Sequence, residues 1–261
     1  MLPPCRKGSL FGQRYAKTGA KTGASLPLSN APRHPMYTLH YAPDNASLII
    51  RLVLDGAGIP YRTALVNRAT RDQDSPAYRA LNPAGLIPTL ETPQGPIPET
   101  GAILLWLADT HGLGPGPDSP QRPAFLQWLF FLSNTAHTDL RQLFYPHLYC
   151  PVDAHPAHAE IMARRMQQHF ALLDHAALVH PALFAPALPL AAYTLALARW
   201  SVLYPKHGRR WFDLAAYPAL DALAHAQERR VETPVIARLE GLGPHPFTAP
   251  IHPLPPEGSA T

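Results

Sequence analysis

Residues that could bind an amino acid at both of its ends lie on either side of a short predicted hairpin. Two extended runs, Thr89 to Thr92 and Pro96 to Pro98, flank a Pro-Gln-Gly turn, which predicts two antiparallel strands. Ile87-Pro88 stands just before the hairpin, where a cis X-Pro bond would expose the backbone groups of Ile87. Glu99-Thr100 stands just after it, where a helical pattern begins with free N–H groups and the positive end of the helix dipole. This arrangement predicts a site for a peptide-like ligand.

The elements that must position these residues alternate between strand and helix. Tyr37 to Tyr41 is a predicted strand, a helical pattern follows from residue 48 to Gly56, and Tyr61 to Val66 is a second strand. Ser75-Pro76 is predicted to start a short helix, with serine as the cap and proline in the first turn. After the hairpin, apolar residues at helical spacing predict a helix that Gly112 ends. The order of these elements predicts an α/β domain over residues 36–112.

The second half of the chain has no strand pattern and is predicted to be all-helical. Residues 113–123, rich in Gly and Pro, read as a linker, and a helical domain is predicted over residues 124–243. Residues 244–261 are a Pro-rich tail, either laid on the surface or disordered. The predicted helices are Ala124 to Leu148, bent or broken near Pro146, and segments at about 156–179, 189–203, 213–230 and 233–240.

The first 35 residues differ sharply in charge from the remainder of the chain. They hold six of the 22 basic residues and no acidic residue, so 16 basic residues face 18 acidic ones in the remainder. Two interpretations fit this basic leader: a targeting-like segment, or translation from an upstream start codon with Met36 as the natural first residue. The second is favoured, because the leader lacks the apolar region of a secretory signal.

Composition excludes several classes of function. No apolar run approaches the roughly 18 residues that span a membrane, and no basic excess in the folded part favours nucleic-acid binding. Cys5 and Cys150 are the two cysteines, too few and too far apart for a disulfide framework. That usage indicates a reducing, cytoplasmic location. There is no zinc-ligand spacing, and His155 and His158 read as a solvated helix start, so no metal is predicted.

Three segments in order carry a resemblance to a known family. They are YTLHYAPDNASLIIRLVLDGAGIPYR at 37–62, LNPAGLIPTLE at 81–91 and PETGAILLWLADTHG at 98–112. Their order and spacing resemble the N-terminal, thioredoxin-like domain of glutathione transferases, and the similarity covers roughly residues 36–250. It implies a thioredoxin-like α/β domain followed by an all-α domain. It also implies a homodimer that takes glutathione as co-substrate, activates its thiol, and conjugates it to, or uses it to reduce, a small hydrophobic electrophile.

The resemblance also implies roles for individual residues at the thiol end of glutathione. Ser47 matches a serine at the start of the first helix and is the first choice as hydrogen-bond donor to the thiolate, with Asn45 second. Ala46 occupies the position of the cysteine in bacterial beta-type members, which argues against mixed-disulfide chemistry there. The alternative is that Ser47 and Asn45 only cap the helix.

Further roles are implied for the rest of the tripeptide and for the electrophile. Ile87, before Pro88, would pair through its backbone with the cysteinyl part of glutathione, while Glu99 and Thr100 would hold the γ-glutamyl ammonium and carboxylate. A helix cap is again the alternative for Glu99 and Thr100, and both roles can coexist. The polar residues one turn beyond an aromatic run would line the electrophile site: His137, Arg141 and Tyr145.

A second class of function remains open. Leu86 stands where many relatives carry a lysine or glutamine that contacts the tripeptide, and Ala46 removes the cysteine. Both departures fit a non-catalytic module of the same fold, for ligand binding or a stress-response interaction. A glutathione-dependent isomerase is a third possibility and would need an anion-binding group over the pocket, which Arg141 could supply.

Overall fold

The described part of the chain, residues 37–205 and 210–260 of a computed structural model, builds a small mixed sheet and a set of helices within one compact unit. The predictions for the leader, residues 1–35, and for Met36 and Cys5 lie outside the described residues. None of the helices formed by the described residues combines the length and apolar character that crossing a bilayer requires.

The sheet has four strands in the order β2-β1-β3-β4. They are β1 (Tyr37–Tyr41), β2 (Tyr61–Leu65), β3 (Thr89–Thr92) and β4 (Gly95–Pro98). The first two pair in parallel, whereas β3 is antiparallel to both β1 and β4. The hairpin prediction is therefore confirmed, and the sheet with its helices is thioredoxin-like.

Three helices belong to this α/β part: α1 (Ser47–Gly56), α2 (Pro76–Leu81) and α3 (Thr100–His111). Ser75 caps α2 as predicted, since its hydroxyl accepts from the Tyr78 amide at 3.2 Å. Gly112 ends α3 with a left-handed φ of 67°, which a residue without Cβ adopts at little cost.

The remaining helices are α4 (Arg122–Phe130), α5 (His137–Phe144), α6 (His155–Val179), α7 (Pro189–Leu203), α8 (Pro218–Glu228) and α9 (Thr233–Glu240). Nearly every residue of α7 is buried, which is typical of a helix that is apolar on all sides and central to its domain. Residues 47–54 of α1 are buried as well, because α1 packs between the sheet and α7. The α/β and helical parts therefore share one core.

Two predicted helices differ from the structure. The long helix from Ala124 is interrupted by a wide π-helical turn, Phe131–Ala136, and α5 ends at Phe144 just before Pro146. This turn packs on α7 and brings Ser133 against Gly101, contacts that local sequence does not encode. The helix predicted over residues 213–230 starts only at Pro218, because a proline disfavours helical backbone in the residue before it.

Candidate functional site

The loop before β3 is held from behind by hydrogen bonds to one carbonyl. The Leu86 carbonyl accepts from the Tyr78 hydroxyl at 2.6 Å and from the Asn82 side-chain amide at 2.7 Å. The Ile87–Pro88 peptide bond is cis, as predicted. Pro88 is buried, whereas Ile87 remains partly exposed and Leu86 is 50% exposed. Ile87 is therefore partly accessible beside a buried proline, just before the start of β3.

Glu99 lies at the N-terminus of α3 in an unusual backbone conformation. Its φ of 71° and ψ of 116° fall where residues with a Cβ are strained. The side chain is exposed and makes no capping hydrogen bond to α3, so the cap interpretation does not explain this glutamate. Thr100, the first residue of α3, is 7% exposed. The Glu99 carboxylate and the N-terminus of α3 therefore lie together, separated from Ile87 along the chain by the β3-β4 hairpin.

The loop before α1 binds the Ser47 side chain tightly. Ser47 is fully buried, and its hydroxyl donates to the Ala42 carbonyl at 3.0 Å and accepts from the Ala42 amide at 3.3 Å. The residue at the N-cap position is Ala46, and α1 has no side-chain cap. The Ser47 side chain thus bonds to the backbone of the preceding loop, and neither Ser47 nor Asn45 caps α1 through its side chain.

Asn45 is the partly exposed polar residue of the same loop. Its side-chain oxygen accepts from the Ala46 amide at 2.8 Å, and its carbonyl accepts from the Leu48 amide at 2.8 Å. Because the oxygen is engaged, the NH2 group is the end of this side chain that can donate to a ligand. In the first turn of α1 the Leu48 and Ile49 amides already donate to the Asn45 and Ala46 carbonyls, so the Asn45 NH2 group is the donor that this loop offers.

His137 and Arg141 occupy successive turns of one face of α5, and Tyr145 directly follows the end of this helix. His137 Nδ1 lies 2.9 Å from the Tyr193 hydroxyl, and its ring lies 5.7 Å from that of Trp200. Burial, and to a smaller extent the charge of Arg141, lower the pKa of His137 to about 4, so the imidazole is neutral at physiological pH. Trp200 donates to Asp44 at 2.8 Å, which connects this face to the loop before α1.

Arg141 and Tyr145 belong to a cationic, aromatic cluster at the end of α5. The Arg141 guanidinium donates to the Tyr149 hydroxyl at 2.5 Å and lies 5.6 Å from the Tyr145 ring centroid. Arg68, from the loop after β2, donates to the Tyr145 hydroxyl at 3.3 Å and to the Ala260 carbonyl at 2.6 Å. Sequence reasoning missed Arg68 and Ala260, since nothing in their local sequence marks them.

A cavity of about 580 Å³ lies elsewhere, beside the C-terminal end of α7, with Tyr204, Trp211 and His252 in its walls. None of the predicted site residues lines it. Its position therefore does not bear on the site around Asn45, Ile87 and Glu99. Among the described residues, no group of three or more side chains could hold a metal ion.

A thioredoxin-like sheet followed by an all-helical part, with a cis-proline loop and an acidic residue at the start of α3, is the architecture of glutathione transferases. The family model for the glutathione S-transferase N-terminal domain matches residues 46–110. Three matches illustrate the comparison with known proteins. Glutathione S-transferase GST-4.5 of Xanthomonas campestris pv. campestris is 33% identical over 119 residues, which are 44% of this chain and 57% of that protein.

The disulfide-bond oxidoreductase YfcG of Escherichia coli is 34% identical over 103 residues, 37% of this chain and 48% of that protein. The chain thus spans about half the length of the curated relatives it matches. Among solved structures, a sphingomonad glutathione S-transferase complexed with glutathione superposes with a TM-score of 0.61 at 27% identity, over 79% of this chain and 100% of that one. Residues 46–110 therefore carry a glutathione S-transferase N-terminal domain, and the described residues share the fold of a solved glutathione S-transferase.

Proposed function

We propose that this protein is a glutathione transferase that binds glutathione, ionises its thiol and transfers it to a small hydrophobic electrophile. The observation that carries the proposal is Glu99, whose strained backbone presents an uncapped carboxylate at the start of α3. Strained conformations persist where the surrounding structure and a function require them. Binding of glutathione by the sphingomonad homologue supports the same assignment.

The tripeptide would lie along the edge that joins the two helix starts. Glu99 would bind the γ-glutamyl ammonium, while the Thr100 hydroxyl and the free N–H groups of α3 would bind the adjacent carboxylate. The backbone of Ile87, held beside Pro88, would pair with the cysteinyl part. This order leaves the thiol near the start of α1, beside the loop that follows β1.

Asn45 is the stronger candidate for donating a hydrogen bond to the thiolate. The Ser47 hydroxyl already donates to Ala42, so using it on sulfur would break a buried hydrogen bond. The Asn45 NH2 group needs no such exchange, because only the oxygen of that side chain is engaged, by the Ala46 amide. Hydrogen bonds and a helix N-terminus both favour a thiolate over a thiol, which lowers the thiol pKa.

In the reaction, the thiol proton leaves to solvent before attack. The sulfur lone pair then forms a bond to the electrophilic atom, and the leaving group departs with the bonding electrons. His137, Arg141 and Tyr145 are the proposed electrophile-binding residues. Neutral His137 next to two aromatic rings favours an apolar, planar acceptor, and the tyrosines around Arg141 extend that surface. The enzyme's contribution is thiolate formation and proximity.

Assembly and location are part of the proposal. A homodimer is supported by Phe130 on α4, a large apolar side chain that is 51% exposed although α4 otherwise buries Phe125 and Leu129. Residues 36–112, 113–123, 124–243 and 244–261 are proposed as the thioredoxin-like domain, linker, helical domain and tail. A cytoplasmic location follows from the need of such a reaction for reduced glutathione.

The test is a calorimetric titration with glutathione, followed by ultraviolet absorbance of the bound thiolate across pH. We expect binding, with a thiol pKa below that of free glutathione, and a higher pKa in Asn45→Ala. Ser47→Ala is the comparison that ranks the two donors, because it leaves the Asn45 side chain in place. Binding without ionisation would instead favour the non-catalytic module, which is the alternative that Ala46 and the exposed Leu86 support. Absence of binding would refute the proposed site.

A further inference from the structure

A single buried arginine connects the loop before α1 with the end of the chain. Arg199 of α7 has no solvent exposure. Its Nε and Nη2 atoms donate to the two carboxylate oxygens of Asp44 at 2.9 and 3.0 Å. Nη1 donates to the Pro246 carbonyl at 2.9 Å, and Nη2 also donates to the Ile251 carbonyl at 3.0 Å. The planar guanidinium thus binds the Asp44 carboxylate and the carbonyls of the C-terminal segment at the same time.

Asp44 is the residue through which this contact reaches the proposed thiol site. It immediately precedes Asn45, is 7% exposed and has a left-handed φ of 46°. Its carboxylate also accepts from the Trp200 indole at 2.8 Å, and its amide donates to the buried Glu240 side chain at 2.8 Å. Such a backbone conformation costs free energy for a non-glycine residue, so it is maintained by these contacts.

The C-terminal segment, residues 246–260, contacts Arg199 near its start and the sheet near its end. The Leu254 amide donates to the Gly241 carbonyl at 2.8 Å, and Glu257 accepts from the Tyr41 hydroxyl at the end of β1. A Cβ on Gly258 would lie 2.8 Å from Leu65 and 3.4 Å from Pro43, so the segment lies directly against the loop before α1. The C-terminal segment thereby packs against the end of β1, the end of β2 and the loop before α1, although it is distant from them in sequence.

The charge of Arg199 matters as much as its geometry. Asp44 places a buried carboxylate next to the residues that would face a thiolate, and Arg199 neutralises it. An uncompensated carboxylate there would disfavour a second negative charge nearby. A buried charge that loses its partner is also strongly unfavourable, so the loop would rearrange to hydrate Asp44.

We propose that Arg199 is a positioning residue for the thiol site, which fixes Asn45 and the start of α1 through Asp44 and makes the C-terminal segment part of that site. This inference rests on the proposed function for its chemical consequence. Its structural part, that Arg199 holds the loop and the C-terminal segment together, stands independently of any ligand.

The experiment compares Arg199→Lys and Trp200→Phe with the unmodified full-length chain. Lysine keeps the charge but offers a single nitrogen, which cannot serve both Asp44 oxygens and two carbonyls. Trp200→Phe removes the indole donor to Asp44 together with part of a buried ring, and it keeps Arg199 in place should Arg199→Lys fail to fold. Thr233→Val is the control, because it removes the buried hydrogen bonds between Thr233 and Gln227, which belong to α8 and α9 rather than to the loop.

Two readouts are taken on each variant. The first is the thiol pKa of bound glutathione, which we expect to rise by about one unit in Arg199→Lys, a tenfold loss of thiolate below that pKa. Trp200→Phe should give a smaller rise, and Thr233→Val none. The second is amide hydrogen exchange, which should accelerate in residues 42–48 and 246–260 together in Arg199→Lys and Trp200→Phe, but not in the control.

The outcomes separate this inference from the proposed function. If the unmodified chain does not ionise glutathione, the proposed function fails, and the exchange data alone decide whether Arg199 positions the loop. If folded variants retain both the thiol pKa and the exchange rates of the unmodified chain, the inference is overturned while the proposed function stands. Equal changes in Thr233→Val would also overturn it, because a general loss of stability would then explain them.

Discussion

Replacing Glu99 by glutamine should weaken glutathione binding without loss of stability. The substitution keeps the shape of the side chain and removes the charge that we assign to the γ-glutamyl ammonium. A hydrogen bond to a charged group contributes about 1.5–3 kcal/mol, and the exposure of Glu99 favours the lower value. A loss of about 1.5 kcal/mol corresponds to an approximately tenfold increase in Kd, which calorimetry measures directly.

Glu99→Gly separates binding from backbone strain. The φ of 71° costs a residue with a Cβ about 1–3 kcal/mol, whereas glycine adopts it freely and loses about 0.5–1 kcal/mol in chain entropy. We therefore expect the free energy of unfolding to rise by about 0.5–2 kcal/mol while glutathione affinity falls as in Glu99→Gln. Denaturant unfolding and calorimetry on the same sample give the two quantities.

Arg71→Gly is the matched control. Arg71 also has a positive φ, 59°, but its side chain pairs with Asp74 on an exposed loop, where an ion pair contributes little. Glycine there should stabilise the fold without changing affinity for glutathione. Unchanged affinity in both Glu99 variants would refute the binding role, and a destabilised Glu99→Gly would refute the argument from strain.

Three other outcomes are expected. Burial lowers the pKa of His137 from 6.5 to about 4, so between these pH values only the unfolded chain binds the proton. The free energy of unfolding should therefore fall by up to about 3 kcal/mol as the pH falls through that window. Equilibrium unfolding of His137→Asn, whose side chain still offers the Tyr193 hydroxyl a partner, should lack this pH dependence. Gly56→Ala would place a Cβ 2.2 Å from that of Ala187 and should destabilise by about 1–3 kcal/mol in denaturant unfolding, an effect whose absence would contradict the tight packing of α1. Phe130→Glu should shift the protein from dimer to monomer in analytical ultracentrifugation, and an unchanged mass would exclude this face from the proposed interface.

Local sequence predicted the secondary-structure elements of the α/β part closely. β1 occupies the same five residues as its prediction, Ser75 caps α2, and α3 runs from Thr100 to the residue before Gly112. These features depend on neighbours within a few positions, through side-chain alternation, caps and the conformational freedom of glycine.

The thiol end shows where local reasoning stops. The sequence favours Ser47 over Asn45 as the donor, whereas the folded loop uses the Ser47 hydroxyl on the Ala42 carbonyl. The π-helical turn at Phe131–Ala136 has no proline or glycine to announce it, and it is set by packing on α7. The bond of the Ser47 hydroxyl and the position of the π-helical turn both depend on tertiary contacts, which local sequence does not specify.

The sequence by itself determined the order of strands and helices, because short-range patterns specify it, and it proposed Glu99 and Thr100 as candidate binding residues for the γ-glutamyl group. Only the tertiary structure decided that Asp44 is neutralised by Arg199, 155 residues away, and that Glu257 reaches Tyr41. Side chains so distant in sequence meet through the packing of α7 and the C-terminal segment against α1 and the sheet. That packing minimises the free energy of the whole core, so no window of neighbouring residues encodes it.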